Sequence, residues 1–244
     1  MPEPETLANK RGSMLGRLMA EAAARCPDAA TLGPLDADEP TPDEPGHPEY
    51  HRRQRRDFAL KRWQTAAPYR YRDATTTHPQ VIAWADRAVK DLRDAGFLLL
   101  TGPFGTGKTH NAYGALRRIA EAGPDRYEII ALTAPDMYAL LRPGGSDRGG
   151  EAELKRLTRV PLLLLDDLGT EKISEWTEEA TYRLLNERYN ECRPMIITSN
   201  LPPHDPNGPD LVAKLGERIT SRLAQMTTVI PMNGNDRRRG GDAA

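Results

Sequence analysis

Apolar positions along this chain follow two periods, and the switches between them mark out the elements. Val81, Ala85, Ala88, Val89 and Leu92 fall at helical spacing and predict a helix that ends near Gly96. Phe97 to Thr101 is a short apolar run that predicts a strand leading into a glycine-rich turn. The pattern then alternates. Helices are expected over Asn111–Ala122, over Pro135–Leu141 (stopped by Pro143-Gly144-Gly145), over Glu151–Thr158, over Glu175–Tyr189 and over Leu211–Gln225. Strands are expected over Tyr127–Thr133, Pro161–Asp166, Met195–Ser199 and Thr227–Ile230. The unbroken leucines from Leu162 to Leu165 predict a strand buried on both faces. Strands alternating with helices predict an α/β domain over about 78–232. Its parallel sheet should have about five strands and helices on both faces, with no internal repeat.

The residues before this domain are patterned differently. Between Thr6 and Arg25, Leu7, Met14, Leu15, Leu18, Met19 and Ala22 recur at helical intervals with charges between them. Residues 1–26 therefore read as a short amphipathic helix in need of a partner. Pro27 to Glu49 holds six prolines, seven acids and no Lys or Arg, and 27–50 reads as a disordered acidic linker. The charge then reverses over 51–77. Between Arg52 and Arg72, the bases Arg52, Arg53, Arg55, Arg56, Lys61, Arg62, Arg70 and Arg72 face the single acid Asp57, with Phe58, Trp63, Tyr69 and Tyr71 interleaved. The first part suits a basic helix ended by Pro68. Charges for phosphate and rings for stacking are what single-stranded nucleic acid binding uses. A solvated helix whose aromatics dock on the following domain would read the same way. The tail, 233–244, is arginine-rich.

Composition narrows the function. The chain has 244 residues, with 34 Lys+Arg against 35 Asp+Glu, so any basic surface must be local. No apolar run approaches the roughly 20 residues of a membrane helix, and no secretory segment follows Met1. Cys26 and Cys192 have no second Cys or His at metal-ligand spacing, which argues against a zinc site or a disulfide framework. A cytoplasmic protein is expected.

The chemistry is carried by Gly102-Pro103-Phe104-Gly105-Thr106-Gly107-Lys108-Thr109, which matches the phosphate-binding pattern GxxxxGK[ST] between a strand and a helix. Its glycines let backbone N–H groups curl around β- and γ-phosphates, with Lys108 bridging those phosphates and the Thr109 hydroxyl on Mg²⁺. The buried strand ending in Asp166-Asp167 supplies carboxylates that need a cation or donors. Asp166 would hold the metal through water, and Asp167 stands where a residue would polarise an attacking water. Asn200, after Thr198-Ser199, could hold that water or the γ-phosphate, or could simply begin a loop.

Gly102 to His110, Leu165-Asp166-Asp167-Leu168-Gly169, Thr198-Ser199-Asn200 and Leu215-Gly216-Glu217-Arg218-Ile219-Thr220-Ser221-Arg222-Leu223 occur in that order. Together with Tyr69-Arg70-Tyr71 they resemble the DnaC/DnaI-like helicase loaders and the related IstB transposition ATPases of the AAA+ group, over about 69–239. The resemblance implies a P-loop AAA+ three-layer fold without a C-terminal helical lid, since only 14 residues follow Ile230. It implies Mg²⁺-dependent ATP hydrolysis with ATP bound between self-associated subunits, and it adds His110 to the nucleotide-binding loop. Asn200 resembles the sensor-1 residue. Arg222, or failing that Arg218, resembles the arginine finger reaching a neighbour's ATP, and Arg237 or Arg238 loosely resembles a C-terminal arginine near the nucleotide. Asp167 is shorter than the Glu common at its place, which bears on turnover rather than on binding. Arg142, Arg148, Lys155, Arg156 and Arg159 lie where loaders carry an inserted helical element and could contact single-stranded DNA. Trp176 could offer a stacking surface or could pack in the core.

Three functions follow. The first is a loader that places a replicative hexameric helicase on single-stranded DNA, docking through residues 1–26. The second is a transposition helper acting with a transposase on double-stranded DNA. The third is an ATP-binding assembly switch with negligible hydrolysis.

Overall fold

In the computed structural model, five five-residue strands form one parallel sheet: β1 (Phe97–Thr101), β2 (Ile129–Thr133), β3 (Leu162–Asp166), β4 (Met195–Ser199) and β5 (Thr227–Pro231). Their order is β2-β3-β4-β1-β5. The structure describes residues 40–170, 174–234 and 236, apart from the side chains of Arg218 and Arg222. The amphipathic helix expected at 1–26, most of the acidic linker and the tail from residue 237 lie outside the described residues. Residues 40–47 form a unit of their own made of turns, in which Glu44 N–H donates to Thr41 O and His47 N–H to Glu44 O, each at 2.9 Å.

Strand alternation sorts the core into two clusters, one on each face of the sheet. Leu98, Leu100, Leu162, Leu164, Ile196 and Ile230 point to one face. There they meet α1 (Pro48–Ala66) through Ala59 and Trp63, α2 (Pro79–Lys90) through Val81, Trp84 and Ala85, and α3 (Lys108–Glu121) through Tyr113, Leu116 and Ile119. Phe97, Leu99, Leu163, Leu165, Met195 and Ile197 point to the other face. That face is covered by α4 (Ala134–Leu141), α5 (Gly150–Arg159), α6 (Glu175–Asn190), α7 (Leu211–Leu215) and α8 (Glu217–Met226). Both faces being covered explains the unbroken apolar strands. The edge strand β2 is only half-buried.

Several boundaries depart from the periodicity. α1 opens at Pro48, inside the stretch read as linker, and packs on the same core as the sheet: the Trp63 indole N–H donates to Tyr113 O at 3.2 Å. α3 begins at Lys108, three residues before the expected start, because Gly107 (φ 93°) turns the loop directly into the helix. The expected helix Leu211–Gln225 is two helices. Gly216, at φ 81°, ends α7 and starts α8, a conformation that costs residues with a Cβ considerably more than glycine. Asp210 caps α7 by accepting from Ala213 N–H at 2.6 Å.

One buried cation ties the second layer together. Arg188 of α6 is fully buried and donates to Leu157 O and Val160 O, each at 2.8 Å, and to Pro161 O and Pro194 O. These carbonyls end α5, lead into β3 and lead into β4. Burial, reinforced by Arg193, pushes the guanidinium down to about 9, still high enough to keep it charged at neutral pH. Arg188→Met keeps the apolar stem but leaves several buried carbonyls without a donor, each costing roughly 1–3 kcal/mol. A loss of about 3 kcal/mol or more is expected in urea unfolding, and an unchanged midpoint would show that the loops satisfy those carbonyls otherwise.

Candidate nucleotide-binding site

Parallel pairing sets the strand ends level. Thr101 stands opposite Ser199 and Pro231, and Thr133 opposite Asp166. Loops leaving these carboxyl ends therefore share one edge of the sheet, the usual ligand edge of an open α/β fold. The loop after β1 curls there, with Gly105 and Gly107 at φ 79° and 93°. Those angles orient successive N–H groups toward one side, at the start of α3, where an anion is favoured. In this state Lys108 Nζ donates to Gly102 O and Pro103 O, each at 2.7 Å. The ammonium thus lies over the loop it would share with phosphate.

A cavity of about 360 Å³ opens on this loop. Phe104, Gly105, Gly107, Lys108, Thr109, His110, Asp167 and Asn200 line it, so the loop residues, the second carboxylate and the strand-end amide expected from sequence are brought together. Thr106 stays outside the lining and braces the loop through its hydroxyl, which donates to Pro103 O at 3.0 Å. The Asn200 Nδ2 is buried and has no hydrogen-bond partner among the described residues. An orphaned donor in the wall of a phosphate-loop cavity fits a ligand oxygen.

Asp166 lies behind the lining. Its Oδ1 accepts from the Thr109 hydroxyl at 3.0 Å and from the Thr198 hydroxyl at 2.6 Å. Burial raises its pKa; the Thr198 bond opposes this, Asp167 adds to it, and Thr109 and Lys108 oppose it. A buried carboxylate held this way would gain from a cation beside Thr109. Among the described residues no cluster of three or more His, Cys, Asp or Glu could hold a metal, so a Mg²⁺ here would depend on Thr109, Asp166, water and the phosphates. Asp167 takes the left-handed conformation, φ 57°, with its N–H donating to Thr198 Oγ1 at 2.9 Å. That turn is what separates the roles of the two acids: one is anchored to hydroxyls, the other borders the cavity.

Two groups of residues stand at the nucleotide site although the sequence did not place them there. Thr198 links both acids, but its position beside Asp166 depends on β4 lying next to β3, which no local pattern reveals. Arg70 and Tyr71 line the cavity from a 3₁₀ turn (Tyr69–Tyr71) after α1. Tyr71 stacks on Tyr113 of α3, with centroids 4.9 Å apart and an 11° tilt. Thr75 N–H donates to His110 Nε2 at 3.4 Å, and Thr76 Oγ1 to Asn111 Oδ1 at 2.7 Å, so the segment is fastened along the first turns of α3. Arg218 and Arg222 fall on α8, and Arg237 lies beyond the described residues.

The profile of IstB-like ATP binding proteins matches residues 47–242. The chain belongs to this family. The match takes in α1 as well as the sheet. An ATP-binding protein in an insertion sequence of Mycobacterium tuberculosis is 28% identical over 204 residues, 78% of this chain and 80% of its own length. The replicative helicase loader DnaI of Bacillus subtilis is 26% identical over 149 residues, 58% of this chain and 47% of that protein. A crystal structure of the DnaC helicase loader superposes with a TM-score of 0.56 at 27% identity, covering 68% of this chain and all of that chain. The IstB-like chain is thus an ATP-binding AAA+ protein of the combined group its motifs resemble. Among its described residues no helix is long and apolar enough to cross a membrane.

Lys108→Ala should weaken ATP binding by about 10- to 100-fold, the scale of one or two charge-assisted hydrogen bonds, in a fluorescent-nucleotide titration. Arg70→Ala should weaken it severalfold. Wild-type affinity in the Arg70 variant would place the nucleotide away from the 3₁₀ turn.

Proposed function

We propose that this protein is a Mg²⁺-dependent ATPase that loads a replicative hexameric helicase onto single-stranded DNA. The observation that carries the loader reading is the likeness to DnaC over the whole of that loader's chain. The site supports the chemistry. Lys108 would leave Gly102 O and Pro103 O to bridge β- and γ-phosphate oxygens, while the N–H groups of the loop hold the rest. Thr109 and Asp166 would hold Mg²⁺, which supplies charge neutralisation on the phosphates when bound. Asp167 would polarise the attacking water from the cavity wall, and Asn200 Nδ2 would hold that water or the γ-phosphate.

An arginine is needed to stabilise charge on the transferring group, an effect worth about 10³–10⁵ in rate. We assign it to Arg222 of a neighbouring subunit, with Arg218 next, so that self-association completes the site. The arginines of α5 and the loop before it are more engaged than a free DNA surface requires. Arg156 pairs with the buried Glu153 at 2.7 Å, and Arg148 approaches it at 4.0 Å. Trp176 packs edge-on against Tyr138 with Arg142 over its ring, a packing role that leaves Arg142, Lys155 and Arg159 exposed for DNA.

A second reading, a transposition helper on double-stranded DNA, is favoured by the insertion-sequence relative, which matches over 80% of its own length where DnaI matches over 47%. Mixing the protein with its host's replicative helicase, with and without ATP, and measuring complex mass separates the two. A complex that is lost when residues 1–26 are deleted is expected. No complex under any nucleotide condition, together with ATP-dependent assembly on duplex DNA, would establish the helper instead.

Arg222→Ala should bind ATP as wild type does but lose the hydrolysis stimulated by assembly, with turnover falling by at least about 10³-fold. Full turnover in that variant would move the finger to Arg218.

A further inference from the structure

The outward face of α1, with Tyr69 and Arg72 in the turn that follows it, takes no part in the nucleotide pocket or in the core. On α1, Ala59 and Trp63 face inward, and Arg55 is fastened to Gly123 O at 3.1 Å and to Asp125 at 3.2 Å. Gln54, Phe58, Lys61, Arg62 and Thr65 are all exposed and share the opposite side at helical spacing. Phe58 is 55% exposed, with the Arg62 guanidinium 5.2 Å from its ring centroid. The turn repeats the arrangement: Tyr69 is 84% exposed and Arg72 lies 5.3 Å over its ring. Among the described residues Lys61, Arg62 and Arg72 have no acidic partner, and Asp57 and Asp73 are the nearby exposed acids.

We propose that α1 and the Tyr69–Arg72 turn form a binding platform for single-stranded DNA. Each exposed ring costs hydration in the free protein, and neither is needed by the core. Each carries a guanidinium on its face, so ring and cation together present a flat, positively charged stacking surface. Unpaired bases use both features, base on ring and phosphate on cation. A duplex hides its base faces and would use only the charges, and so would an acidic peptide. The turn is shared with the ATP site, because Arg70 and Tyr71 between these two positions line the nucleotide cavity. The platform does not depend on which complex the protein assembles with, and its test uses no helicase.

The full-length protein is titrated into fluorescein-labelled dT20 and into a 20-base-pair duplex, with anisotropy read at several KCl concentrations. Phe58→Ala combined with Tyr69→Ala should weaken dT20 binding by about 10-fold per ring and leave duplex binding unchanged. Lys61→Gln combined with Arg62→Gln should flatten the salt dependence on dT20 by about 1.4 in log–log slope. Thermal unfolding should be unaltered in both, since all four side chains are exposed. Wild-type dT20 affinity in the double aromatic variant, equal losses on duplex and single strand, or no dT20 binding by the wild type at low salt would each overturn the platform. None of these results bears on the helicase complex, whose failure would in turn leave the platform standing.

Discussion

A single buried carboxylate joins three separate segments at the working edge of this protein. Asp166 ends β3, yet it accepts from Thr109, which follows β1, and β1 is not its neighbour in the sheet. The strand between them is β4, and β4 contributes Thr198 to the same oxygen. The bond from Thr109 therefore reaches across the end of β4, and it can do so only if all three strands end level. Register provides this, with Leu165 opposite Ile197 and Leu99 opposite Ile197. Slipping any strand by one residue would invert its faces and also separate these hydroxyls from the acid. Burial outweighs the hydroxyls and raises the acid's proton affinity.

The same dependence extends to the segment before the sheet. Trp63 is buried and donates to Tyr113 O on α3, and Tyr71 stacks on the ring of that same residue. Because α3 begins at Lys108, the lead-in is fastened to the helix whose N-terminus faces phosphate. A displacement of that N-terminus would be felt by Tyr71 and Thr75 through direct contacts, and by the exposed rings that precede them through the backbone that carries them. Charge density in the lead-in is therefore only half of its character. The aromatics divide into those that hold the unit together, Trp63 and Tyr71, and those that face water, Phe58 and Tyr69.

Much of this was legible in the residues, for identifiable reasons. The phosphate loop is readable because its chemistry is local, so eight consecutive residues specify both the turn and its ligand. The strands are readable because a sheet covered on both faces needs unbroken apolar runs, and β1 and β4 agree with expectation residue for residue. What was hidden was non-local. Thr198 acquires its role from strand order. Trp176, which the sequence left open between a stacking surface and core packing, packs against Tyr138 across the layer. Arg188 sits in a stretch with charged residues on both sides and gives no sign that carbonyls from three segments will surround it. The helix break at Gly216 was hidden because helical periodicity continues across it, while its positive φ restarts the helix in a new direction.

That break bears on how the site is completed. A continuous helix from Leu211 would carry its register unbroken into the Arg218–Arg222 segment. The restart at Glu217 instead lets Leu211 and Leu215 bury on α7 while Ile219 and Leu223 bury on α8, each pair set by its own axis. Arg218 and Arg222 stand one turn apart, each immediately before a residue that the core holds in place. Their helix is thus positioned by packing within the chain, although the arginine would act outside it. The cavity supplies the complementary condition: Phe104, 67% exposed at its mouth, leaves the phosphate side open to a second molecule. A helix held by its own core and a pocket open at Phe104 are the two halves that the proposed self-association would bring together. Gly216 is the residue on which that geometry turns.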